Sequence, residues 1–228
     1  KYHGLDMWPA DLDAIVAAGE DAIVAGFENL DKHVRNLQKF NVPVVVCVNR
    51  FPDDTDAEIE VVLEHCRDDL GVAAAESEMF AKGSDGGVDL AEEVISAVDS
   101  GAAAAFEHLY PLDASIKEKI ETIATEIYGA GGVTYSKQAN ADIAKMEELG
   151  FEEMPICMSK TFHSFSDDPR KKGAPTGWEL EVRELYPSAG AGFLVALTGD
   201  VLTMPGLPAI PAAAGMDIDD DGNISGLF

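Results

Sequence analysis

The chain has 228 residues, 46% of them hydrophobic and 25% charged, and its 42 acidic against 16 basic side chains give a formal charge of −26. That length suits one large domain or two modest ones, the composition is globular, and no apolar run nears the roughly 18 residues of a membrane span. Nucleic acid is excluded as a partner, because phosphate backbones are met by a basic footprint and this chain carries the opposite sign.

The first residues show no basic stretch followed by an apolar one, so no secretory signal is visible and a cytoplasmic location is expected. The chain begins at Lys1 rather than Met, which leaves its true start open. Over residues 11–40, Ile15, Val16, Ile23, Val24, Phe27, Leu30, Val34 and Leu37 recur at roughly helical spacing and predict a helix. PVVVCVN, residues 43–49, predicts a buried parallel strand in which Cys47 acts as a small hydrophobe. Residues 57–70 read as a helix again, with Ile59, Val62, Leu63 and Cys66 on one side. Helix, strand, loop and helix in that order are an α/β signature, and open α/β sheets bind ligands beyond the carboxyl ends of their strands. Residues 49–54, with Phe51 set against Pro52, occupy that position.

Further on, Phe80 stands beside the glycine-rich AKGSDGG, and residues 88–98 follow as a helix. GAAAAF and the Tyr110-Pro111-Leu112 step mark a boundary, so two domains are expected, 1–110 and 111–228. Residues 113–128 and 135–149 predict helices, and after Pro155 the texture changes to short segments separated by turns. The fold class is therefore α/β, a parallel-sheet portion followed by a smaller mixed α/β C-terminal domain.

The acids are spread along the chain (Asp53, Asp54, Asp56, Glu58 and Glu60; Asp68 and Asp69; Glu152 and Glu153; Asp217 and Asp219 to Asp221) rather than gathered in one tail. They read as a solvated surface that repels itself at low ionic strength and is relieved by screening, which points to a halophilic, high-salt cytoplasm. The three cysteines, Cys47, Cys66 and Cys157, are far apart and lack metal spacing, so reduced, buried, structural thiols are expected.

Few motifs carry chemistry on their own. A phosphate loop of the GxxxxGK[ST] type is missing, since the lysine of AKGSDGG, Lys82, precedes its glycines, which read as a flexible turn. SAGAGF, residues 188–193, permits close backbone approach without making a phosphate cradle. DIDDDGN places Asp217, Asp219, Asp221 and Gly222 as a Ca²⁺ loop would, but the closing twelfth position falls on Phe228, so a turn between two short strands is expected and no metal site. The five histidines show no ligand spacing, and only His163 sits in a dense polar loop. There is no GxSxG elbow. What remains is an aromatic pair, Phe51 and Phe80, placed to hold a flat conjugated ligand across a crevice, each stacking contact worth ~0.5–1.5 kcal/mol beyond area burial.

Longer stretches carry a resemblance. NRFPDDTDAE, FAKGSDGG, PLDASIKEKIETIATEIYGAGGVTYS, SDDP, APTG, SAGAGFLVALTGDVLTMPGLP and DIDDDGNISGLF together resemble the C-terminal half of formate–tetrahydrofolate ligase, and the opening KYHG is similar to the end of an RALKxHGG signature of that family. The resemblance covers almost the whole chain. It implies a P-loop-ligase-like α/β fold and an ATP-dependent carbon–nitrogen ligase that makes N10-formyltetrahydrofolate from formate, ATP and tetrahydrofolate through formyl phosphate. ATP with Mg²⁺ and tetrahydrofolate are then substrates, with no tightly bound cofactor. Carried over by motif, Phe51 and Pro52 form one wall of the folate site and Phe80 the other, where the family usually has Trp. Pro205, Gly206 and Leu207 of TMPGLP match a family stretch near the nucleotide.

The family's P-loop lysine and the arginine that holds formyl phosphate would lie upstream of KYHG, so no catalytic residue is assigned within this chain. Formate must be phosphorylated before it is a useful electrophile, and that step needs cations and backbone donors around the developing charge. Alone, the chain is expected to be inactive, with an N-terminal P-loop half, in the same or a separate polypeptide, as its partner. Family members form homo-oligomers. A non-catalytic folate-binding or regulatory module is the alternative reading, and a structural or oligomerisation piece a third.

Overall fold

The structure, a computed structural model, describes residues 20–52, 54–161, 164–168, 170–199, 210–219 and 224–225. Helix α1 (Glu20–Gln38) leads to strand β1 (Val45–Asn49), helix α2 (Asp56–Glu64) with a π-helical last turn (His65–Asp69), and strand β2 (Ala73–Ser77). β1 and β2 run parallel, in register from Val45 opposite Ala73 to Asn49 opposite Ser77. Because side chains alternate along a strand, Val46 and Ala74 turn to one face, where they meet Val34 of α1, Val62 and Cys66 of the α2 segment, and Val72. α2 starts where Thr55 and Glu58 cap each other reciprocally, an arrangement that satisfies two otherwise orphaned amides. His65 joins α1 to α2: its ring stacks on Phe27 at 3.9 Å, with Nε2 2.6 Å from Asp31 and Nδ1 2.8 Å from Asp69.

A short helix α3 (Met79–Lys82), a 3₁₀ turn (Gly83–Gly87), helix α4 (Val88–Asp99) and a second 3₁₀ turn (Ala102–Ala105) complete this part. The larger core follows. Helix α5 (Ile116–Thr122) with a π turn (Ile123–Ile127), strand β3 (Gly132–Tyr135), helix α6 (Lys137–Glu148) and strands β4 (Ile156–Ser159), β5 (Glu179–Ser188) and β6 (Phe193–Thr198) build a four-stranded sheet in the order β3-β5-β6-β4. β3 is parallel to β5, β4 parallel to β6, and the β5–β6 pair antiparallel. Ile116, Ile120, Ile143, Met146, Leu180, Val182 and Leu194 pack its core, beside Lys119, which is fully buried and donates to the carbonyls of Glu152 and Met154. Strands β7 (Asp217–Ile218) and β8 (Ile224–Ser225) pair antiparallel, the two short strands expected of DIDDDGN, while residues 220–223 between them lie outside the described residues.

The α/β class and the parallel pair agree with the sequence, whereas the cysteines do not. Cys66 is buried, but Cys47 and Cys157 are exposed. For Cys47 the reason is topological: β1 has one strand neighbour among the described residues, and the face opposite Val46 is only partly covered. No helix among the described residues is long and apolar enough to cross a membrane.

Candidate functional site

β1 and β2 end side by side, at Asn49 and Ser77, and each is followed by a loop that lifts an aromatic ring out of the fold. The amide of Arg50 donates to the Ser77 carbonyl at 2.9 Å, which ties the first loop to the neighbouring strand end. The Arg50 guanidinium then spans the loop, meeting Glu76 at 2.9 Å, Asp56 at 2.5 Å and the Asp54 carbonyl at 3.3 Å. Hydrogen bonds to Asp56 and Glu76 hold its pKa well above the ordinary arginine value. Asp54 accepts from the Phe51 amide at 2.7 Å, and Thr55 then opens α2, its amide and hydroxyl holding the Glu58 carboxyl below its ordinary pKa. With these anchors fixing the backbone on both sides, the Phe51 ring stands 49% exposed, and Pro52 beside it is exposed too.

The second loop folds back on itself. The Glu78 amide donates to the Gly86 carbonyl at 2.9 Å, so residues 78–86 close into a tight clasp that carries Phe80 on α3 near its base, 74% exposed. This closure requires glycine: a Cβ on Gly86 would lie 2.5 Å from the Glu78 carbonyl carbon and 2.6 Å from its oxygen. The glycines of AKGSDGG, read from sequence as a flexible turn, are thus partly a packing requirement.

The two loops bring Phe51 and Phe80 together, with ring centroids 5.3 Å apart and planes inclined at 53°. That separation lies within the 4.5–7 Å of favourable aromatic pairs. A flat ring held between two parallel faces needs ~7 Å between them, two contacts of ~3.5 Å, so such a ligand requires the more exposed ring, Phe80, to swing outward by roughly 2 Å. Arg50, Asp54 and Gly86, which position the pair, were not singled out from sequence. Their signal was present only as the polar and glycine neighbours of the two phenylalanines.

Pro205, Gly206, Leu207, His163 and the KYHG segment lie outside the described residues. A second polar cleft, of about 330 Å³, is lined by His33 of α1 and Tyr128, Lys160 and Ser164 of the larger core. Burial lowers the Lys160 ammonium to about 8. It donates to the carbonyls of Thr161 and Ser164 and lies 5.0 Å from the Tyr128 ring centre, so its protons are committed to holding its own loop.

The family model described as "Formate--tetrahydrofolate ligase" matches residues 1–228. Two relatives bearing that same description, from Haloquadratum walsbyi and Haloarcula marismortui, are 71% and 67% identical over all 228 residues. The match covers the whole of this chain but only 39% and 41% of those proteins, so the chain spans about two-fifths of the length of the curated relatives it matches.

Proposed function

Because this chain belongs to the formate–tetrahydrofolate ligase family, we propose that it supplies the tetrahydrofolate-binding walls of an ATP-dependent carbon–nitrogen ligase. The reaction joins formate to N10 of tetrahydrofolate through formyl phosphate. One observation carries the reading: two exposed phenylalanines, Phe51 and Phe80, meet beyond the carboxyl ends of adjacent parallel strands, where open α/β sheets bind their ligands. The pterin lies between the two rings, with Pro52 beside Phe51 limiting the freedom that binding would remove. Arg50 and Gly86 hold the loops and touch no substrate.

Phosphorylation of formate falls to the remainder of the polypeptide, which carries the P-loop, and the 228-residue chain alone makes no formyl phosphate. Pro205, Gly206 and Leu207 lie near the nucleotide, ATP with Mg²⁺, and this assignment rests on the family motif alone. Two domains meeting near residue 110 belong to the same reading, supported by the two separate hydrophobic clusters around Val34 and around Ile120. Halophily belongs to it as well, supported by the charge of −26 and by the organisms of the two relatives.

Calorimetric titration of tetrahydrofolate in molar KCl tests the site. Phe51→Ala is expected to weaken binding by about tenfold or more, ~1.4 kcal/mol, with the fold intact because the ring is half exposed. Phe80→Trp, which adds stacking surface, is expected to tighten it. Equal affinities in the three proteins would sink the assignment.

A further inference from the structure

Two polar side chains at the strand ends have no task in holding the fold. Asn49 stands opposite Ser77 in the parallel register, and alternation along the strands puts both on the face away from Val46 and Ala74. Ser77 is 2% exposed, yet its hydroxyl has no hydrogen-bond partner among the described residues. Buried polar groups are almost always paired, and each exception calls for an explanation. One other buried side-chain atom among the described residues shares this state, Oδ1 of Asn36, but that side chain is anchored through Nδ2, 2.9 Å from the Ile127 carbonyl. The Ser77 hydroxyl has no such anchor.

Asn49 is exposed, and its Oδ1 accepts from the Cys47 thiol at 3.6 Å, which leaves the Nδ2 protons without an acceptor among the described residues. Both loops of the aromatic pair start from these two residues. Phe51 follows Asn49 by two positions and Phe80 follows Ser77 by three, at most ~7 and ~11 Å of chain. The Gly83–Gly87 turn that closes the second loop packs against β2.

We infer that Asn49 and Ser77 read the polar edge of the ring whose faces Phe51 and Phe80 hold. Stacking fixes the plane of a flat ligand and leaves it free to turn within that plane, so a few placed polar groups must choose its orientation. A carboxamide N–H beside a hydroxyl suits a ring carbonyl next to a ring N–H, which is the pyrimidinone edge of a pterin. Asn49 Nδ2 donates to that carbonyl, and Ser77 Oγ accepts from the ring N–H. The outward swing of Phe80 that admits the ring also uncovers the Ser77 hydroxyl, and the ligand supplies the hydrogen bond that the fold does not. This inference rests on the tetrahydrofolate reading, and its test separates the two.

Ser77→Ala, Asn49→Ala and Phe51→Ala are each titrated in molar KCl with tetrahydrofolate and with 6-methyltetrahydropterin, which has the ring without the tail. Ser77→Ala and Asn49→Ala are each expected to weaken both ligands by about tenfold, as loss of a hydrogen bond in a closed site does. Ser77→Ala should melt no lower than wild type, because it removes a buried group that pairs with nothing. Wild-type affinity in either variant overturns the inference: it falls alone where Phe51→Ala still weakens binding, and together with the site where Phe51→Ala does not. A loss confined to tetrahydrofolate moves the contact to the tail, and a lower melting temperature for Ser77→Ala gives the hydroxyl a partner within the fold. Either result also overturns it.

Discussion

Gly86→Ala isolates the contribution of the Phe80 clasp, because the added methyl points at backbone rather than at a side chain that could move aside. Its Cβ would sit 2.5 Å from the Glu78 carbonyl carbon, 2.6 Å from its oxygen and 2.9 Å from the Met79 nitrogen. Carbon atoms at rest are ~3.5 Å apart, so the backbone at Glu78 must retreat by about 1 Å. Overpacking of this kind costs about 1–3 kcal/mol, and the retreat also stretches the 2.9 Å bond from the Glu78 amide to the Gly86 carbonyl. For a chain of this size each kcal/mol lowers the melting temperature by about 2–4 °C, giving a fall of roughly 2–12 °C. Phe80 follows Glu78 by two residues and moves with it, so tetrahydrofolate affinity is expected to fall by about tenfold, comparable to removing a stacking partner. Differential scanning calorimetry and titration read the two effects. Gly26→Ala is the control: it lies on α1 with nothing within 4 Å of the added methyl and should raise stability by about 0.5–1 kcal/mol through helix propensity. Gly86→Ala with an unchanged melting temperature and unchanged affinity would refute the clasp.

His65 gives a pH signature. Burial opposes its charge, but the hydrogen bonds its ring N–H groups donate to Asp31 and Asp69 outweigh burial and raise its pKa above 6.5. The folded protein thus holds this proton more tightly than the unfolded chain, so the contribution is complete below pH 6.5 and disappears as pH rises through the raised folded value. Melting curves across that window should converge for wild type and His65→Asn as pH increases, and parallel curves would contradict the pairing. Screening of the −26 charge should raise the melting temperature between dilute buffer and molar KCl; a flat or falling response would remove the case for a salt-adapted surface.

Much of the architecture is legible in the residues. The β-branched run of β1 and the apolar spacing of α1 and α2 each point to the element that forms. β2 and β3 were missed for a physical reason. Ala73, Ala74 and Ala75 have high helix propensity, and they become a strand because pairing with β1 and packing on α4 outweigh it. Four-residue β3 is too short to show a period before α6 begins. Cys47 was read as buried because its neighbours are apolar, and a local pattern holds no information about how many strands flank it. At the candidate site the sequence exposes the two phenylalanines, but the spanning of the loop by Arg50 and the backbone contact at Gly86 depend on distances that only the folded chain defines.

The most direct test of the folate site is a crystal structure of the chain with tetrahydrofolate bound. The pterin is expected between Phe51 and Phe80, their centroids parted from 5.3 Å to about 7 Å by Phe80 swinging outward, with the Arg50 anchors unchanged. A pterin bound elsewhere, with the two rings still in contact at 5.3 Å, would contradict it.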